Sequence, residues 1–156
     1  MAYSEEVGHA RYELYRGANK QLKQAIEQGF WIEAIAICES LLSDRLESRL
    51  SHLGNHSEEA RRQRTLGALV KIISNTDRKN GNEKLHEIYE EIRVWARKRN
   101  KAVHEAVKIS DGQSFETWEA RYRRLEEAAV AGIDLFNRLK GEDAKVRRAE
   151  RKAAAV

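Results

Sequence analysis

The 156-residue sequence contains no proline, one cysteine and nine glycines. Without proline, no helix has an imposed kink or stop, so chain breaks must come from glycine and short polar side chains. The lone cysteine, Cys38, excludes an internal disulfide and any CxxC pair. Set within an apolar run, it reads as a small core side chain in a reducing compartment. No apolar run reaches the ~20 residues of a membrane-spanning helix, and the opening MAYSEEVGHARYE lacks the apolar stretch of a signal peptide. These absences lead to the expectation of a cytoplasmic protein with no membrane partner.

What is present favours helix. Hydrophobic residues make up 41% and charged residues 35% of the chain, with Ala, Leu, Glu, Lys and Arg prominent. A net charge of +4 permits a polyanionic partner without demanding one. Apolar residues recur at helical spacing in five segments. The first runs from Glu5 to Gln28, with Val7, Leu14, Tyr15, Ala18, Leu22, Ala25 and Ile26 on one side. The second, from Phe30 to Leu53, is apolar on nearly every side in its first half, which predicts a central helix. A short third spans Thr65 to Ser74 and is followed by the turn-like NTDRKNGN. The fourth runs from Glu83 to Ile109 with Asn82 as cap, and the fifth from Phe115 to Lys140 with Ser114 as cap. No segment alternates with period two, so no strand is predicted. The expected fold is all-α, an antiparallel bundle of about five helices in one domain over residues 1–140, with residues 141–156 as a charged, frayed helical tail.

One residue breaks the pattern. In the fourth segment Leu85, Ile88, Ile92, Trp95, Arg99, Ala102, Ala106 and Ile109 recur at steps of three and four, and Arg99 is the one charged member. A buried charge without a partner is costly, so an acidic group must face it. Glu39, in the most apolar stretch of the second segment, and Asp44, a little beyond, are the two candidates. Asn100 and His104 share another face, which Arg97 and Arg93 extend toward the N-terminus. His104 lies roughly 140° around the helix from Arg99. Both meet at one point only if Arg99 reaches round, the helix bends, or a second copy supplies the missing half across a two-fold axis.

The run Arg99-Asn100-Lys101-Ala102-Val103-His104, on a late helix of an all-helical chain of this size, resembles the HEPN family (higher eukaryotes and prokaryotes nucleotide-binding domain). The family's hallmark is an arginine followed four to six residues later by histidine, commonly with a polar residue directly after the arginine. The long second helix resembles the family's early helix, which often carries an acidic residue near the motif; Glu39 or Asp44 would fill that role. The resemblance implies an endoribonuclease that needs no metal or other cofactor and works as a homodimer with a composite cleft. It also implies a toxin or phage-defence setting, with a nucleotidyltransferase-like antitoxin or a defence-system subunit as partner. On that reading an RNA 2′-hydroxyl attacks the adjacent phosphate. Two copies of His104 divide the roles of base and acid, Arg99 stabilises the developing charge, Asn100 holds the imidazole or a phosphate oxygen, and Glu39 orients Arg99. Arg93, Arg97 and Lys101 supply a basic strip for the RNA backbone.

Other constellations carry less. His52 and His56 have zinc-like spacing, but Gly54 and Asn55 lie between them and no HExxH pattern accompanies them. The aromatics Trp31, Trp95, Trp118, Tyr89, Phe115 and Tyr122 fall mainly on helical seams and read as core. The rival to catalysis is a non-catalytic interaction or nucleotide-binding module, acting as an accessory subunit, in which Arg99 is a structural charge.

Overall fold

Five helices account for the regular structure in the computed structural model, which describes residues 5–54, 65–108 and 116–155. They are α1 (Glu5–Gln28), α2 (Trp31–His52), α3 (Leu66–Lys79), α4 (Glu83–His104) and α5 (Trp118–Ala154). No strand occurs among the described residues, and none of these helices is long and apolar enough to cross a membrane. The all-helical bundle is therefore observed.

Helix α2 is central, packing against α1, α3 and α5, while α4 packs against α3 and α5. Its buried Ala34, Ile35, Cys38, Leu41, Leu42, Leu46 and Leu50 meet the inward faces of the other four. Burial pushes the Cys38 thiol up to about 12, as suits a core side chain. The stripe on α1 is narrower than its spacing suggests: Leu22 and Ala25 are buried, but Leu14 and Ile26 are exposed. α1 leans chiefly on one helix, α2, so a thin seam suffices. Val7's side chain lies outside the described set.

The breaks between helices follow from glycine. After α1, Gly29 takes φ +70°, its N–H reaches the Ile26 carbonyl, and Phe30 N–H reaches that of Ala25 at 2.8 Å. After α3, Gly81 takes φ +78° with the same pair of bonds, to Arg78 and Asp77. These are Schellman caps, which need a left-handed residue that only glycine adopts cheaply.

Several helix ends differ from the sequence expectation. α3 continues through the turn-like NTDRK, because Asp77 is buried and fully engaged by partners from other helices. Asn82 starts α4 but does not cap it with its side chain; its amide donates to Asp77 instead, at 2.8 Å. α4 ends at His104, five residues before Ile109, where Arg121 of α5 takes the carbonyls of Glu105 and Lys108. Ala106 is still buried beyond the helix end, and Ile109 lies outside the described residues. α5 is capped by Thr117, whose hydroxyl accepts from Ala120 N–H at 3.2 Å; Ser114 and Phe115 also lie outside the described residues.

The largest correction concerns residues 141–156. Far from fraying, α5 runs on to Ala154, and Asp143 within it is 1% exposed. The cause is a buried polar network. Arg49 of α2 donates to Asp77 through Nη2 at 2.6 Å and Nε at 3.1 Å, and to Glu150 through Nη2 at 2.7 Å and Nη1 at 2.9 Å. The Tyr89 hydroxyl donates to Asp77 at 2.7 Å, and His52 meets Glu150 at 2.8 Å. Arg147 and Arg45 face Asp143 at 3.0 and 3.6 Å. The tail is thus tied to α2 by charge-assisted hydrogen bonds.

Candidate functional site

Two antiparallel helices joined by a tight turn, α3 and α4, leave an open groove of about 1050 Å³ along one side of the bundle. The α4 wall is a polar stripe: His86, Glu90, Arg93, Arg97 and Asn100 follow one another at steps of four and three. That spacing keeps them on one face while the apolar seam of Leu85, Ile88, Ile92 and Trp95 turns inward. The α3 wall contributes Thr65, Gly67, Lys71, Ser74, Asn75 and Arg78. Glu39 enters from α2.

Arg99 is the link between seam and groove. Its side chain is 17% exposed, and Nη2 donates to Glu39 Oε1 at 2.5 Å. The guanidinium carbon stands 5.8 Å from the centre of the Trp95 ring, within cation–π range. Nε is shut off from solvent without a hydrogen-bond partner among the described residues. Glu39 is therefore the acidic group opposite the misplaced arginine. Asp44 is not: it accepts from Arg11 at 2.9 Å and from the Tyr15 hydroxyl at 2.7 Å, tying α1 to α2. Arg99 does turn toward the stripe, lining the groove beside Asn100, but within one chain it does not bring His104 into the groove.

Arg93 and Arg97 line the groove as well, Arg93 paired with Glu90 at 2.7 Å. His104 does not. It is the exposed last residue of α4, one turn beyond Asn100 on the same stripe, about 6 Å further along the axis. Lys101 faces elsewhere. It lies close enough to Glu116, before α5, to add to the lowering of that carboxyl, whose main cause is the hydrogen bond from Arg124. Of the residues expected from the sequence, Glu39, Arg93, Arg97, Arg99 and Asn100 share one concavity, His104 stands just past its end, and Lys101 lies outside it.

Electrostatically the groove is lopsided. Five cations face two carboxylates, Glu39 and Glu90, each already engaged by an arginine. Lys71, Arg78 and Arg97 have no acidic partner among the described residues.

Sequence reasoning missed the α3 wall and the pair at its far end, where Ser74 Oγ and His86 Nδ1 are hydrogen-bonded at 2.7 Å. His86 was within reach, since it extends the Arg93–Arg97–Asn100 face by two further steps. Lys71 and Arg78 were not, because nothing local says which side of α3 faces α4. Of the two histidines with zinc-like spacing, His52 is bound to Glu150 and His56 lies outside the described residues; among the described ones no cluster of metal-ligating side chains occurs. Among the aromatics, Tyr89 and Trp95 are core, Trp31 and Tyr122 are partly buried, and Trp118 is half exposed, while Phe115 lies outside the described residues. Comparison of the chain with protein-family models, with curated proteins and with solved structures finds no match.

Proposed function

We propose that this protein is a metal-independent endoribonuclease of the HEPN type, acting as a homodimer on RNA. The observation that carries the reading is the placement of Arg99: a guanidinium anchored by Glu39 beside Asn100, in a cationic groove whose α4 stripe ends one turn later at His104. Arginine presents a planar, permanently charged fork to phosphate oxygens. In the reaction the 2′-oxygen attacks the neighbouring phosphorus, and its proton passes to one imidazole. The phosphorus–5′-oxygen bond breaks, and the leaving oxygen takes a proton from a second imidazole. The products are a 2′,3′-cyclic phosphate and a 5′-hydroxyl. Arg99 stabilises the charge gathered on the non-bridging oxygens. Asn100 holds a phosphate oxygen or the imidazole, and Glu39 orients Arg99. A second copy of the chain supplies the second His104. A toxin or defence role, restrained by a nucleotidyltransferase-like partner, belongs to the same reading.

The Arg99–Glu39 pair also favours a second reading, a non-catalytic module in which that pair merely neutralises a half-buried charge. Cleavage of RNA in EDTA separates the two. The wild type is expected to cut RNA, to spare a strand with deoxyribose at the scission site, and to lose activity on His104→Ala with helicity and dimerisation intact. Equal cutting by wild type and His104→Ala would eliminate the catalytic assignment, and cutting at deoxyribose would eliminate the 2′-hydroxyl mechanism. Arg99→Leu adds a second arm: it abolishes cleavage if the arginine is catalytic, and if the pair is merely structural its effect is on stability, through the Glu39 carboxylate left without a partner.

A further inference from the structure

The groove extends well past the residues that the cleavage chemistry uses. From Arg99 to His86 is thirteen residues of α4, a run of about 20 Å at 1.5 Å per residue. His86 therefore acts on no phosphate that Arg99 touches. The Ser74–His86 pair marks the other end of the concavity, and Lys71 and Arg78 on the α3 wall carry charge that no described carboxylate neutralises, as Arg97 does nearer Arg99.

We infer that the α3–α4 groove is the track for the phosphodiester backbone of a single-stranded RNA, with Lys71 and Arg78 as phosphate contacts on the α3 wall. This rests on the ribonuclease reading above, because the track begins at Arg99 and Asn100. Three observations select the ligand. Unneutralised cations in a concave channel hold an anion, and a chain of anions matches cations strung along a helix better than a single small ion does. Between the cations stand the amide and imidazole groups of Asn75, His86 and Asn100, which can exchange hydrogen bonds with ribose hydroxyls and base edges. An acidic peptide would leave much of that capacity unused. Base edges are free to meet such groups only where the strand is unpaired, which favours one strand over a duplex. A bilayer, being broad, would touch only the rims.

The test measures binding apart from chemistry. A fluorescently labelled single-stranded 2′-O-methyl oligonucleotide has no free 2′-hydroxyl and cannot be cut by this route, so anisotropy reports the track alone. Lys71→Glu with Arg78→Glu is compared with Lys140→Glu with Arg148→Glu, which carries the same charge change on exposed residues of α5 outside the groove. Circular dichroism verifies that both variants keep their helices. The groove variant is expected to bind at least about tenfold more weakly. Its slope of log K against log salt should be shallower by about 1.4, the share of two single-strand phosphate contacts. The α5 variant should stay within about twofold of wild type. Equal weakening in the two variants, no binding by wild type, tighter binding of a duplex, or displacement of the strand by a poly-glutamate peptide at matched charge would each overturn the track. Normal binding through Lys71 and Arg78 by a protein that leaves native RNA whole would keep the track and retire the nuclease. Native RNA cut by wild type and groove variant alike, with equal strand binding, would do the reverse.

Discussion

Arg49 and Asp77 face each other across the contact between α2 and α3 as a two-point ion pair, and both side chains are closed to water, at 1% and 0% exposure. Burial decides what such a pair does. Removing one member of a buried pair strands the other in a medium that solvates it poorly, at a cost of about 3–5 kcal/mol. Asp77→Ala is therefore expected to lower unfolding free energy toward the low end of that range: Arg49 keeps Glu150, while Tyr89 and Asn82 lose the same acceptor. Asp44→Ala, which breaks a pair whose side chains are about one-third exposed, is expected to cost only ~1 kcal/mol. Urea titration of the two variants side by side checks the contrast, and equal losses would contradict it.

Gly132 sits where α5 crosses the Trp95 ring of α4. A methyl group there would stand 2.7 Å from Cζ2 of Trp95 and 3.2 Å from Cβ of Cys38. In an exposed helix, replacing glycine by alanine gains about 1 kcal/mol. Here the overpacking cost of about 1–3 kcal/mol opposes that gain, and Trp95 has little freedom to yield because its Nε1–H is bonded to the Ala128 carbonyl at 2.8 Å. Gly132→Ala is expected to lower the melting temperature, whereas Gly17→Ala, with nothing near its added methyl, should raise it. Thermal unfolding by circular dichroism reads both signs.

The Glu150 carboxyl is held at about 2, below its ordinary 4.5, first by hydrogen bonds from Arg49 and then by His52. A carboxylate whose folded value is depressed stabilises the fold fully above its unfolded value, and that contribution drains away as pH falls toward the folded value. Stability should accordingly drop between pH 4.5 and 2 with a component that Glu150→Gln lacks. Urea midpoints measured across that window for both proteins test this, and parallel curves would rule it out.

Periodicity was enough to locate the helices because apolar residues three and four apart report burial locally. The C-terminal end of α1, and α2 to within a residue, are legible on that basis. The end of α3 and the stretch of α5 beyond Lys140 were not, and the reason is the same in each case. Asp77, Asp143 and Glu150 look like surface residues until their partners are known, and those partners come from α2, far away in sequence. The test that singled out Arg99, a guanidinium on an apolar line, applies equally to Arg49, which follows Leu42 and Leu46 at helical spacing. Read that way, Arg49 was a visible anomaly, though its acceptors were not. For the groove, the α4 stripe and Glu39 were legible and the α3 wall was not, because the rotation of one helix about its axis is fixed only by what it packs against.

The close fit of Gly132 under Trp95 reaches beyond stability. These two positions share one fixed volume, so in any set of sister sequences a larger residue at 132 should appear only alongside a smaller one at 95. The centre of the Trp95 ring also stands 5.8 Å from the Arg99 guanidinium carbon, so sequences that hold the pair constant would also be holding the aim of that guanidinium.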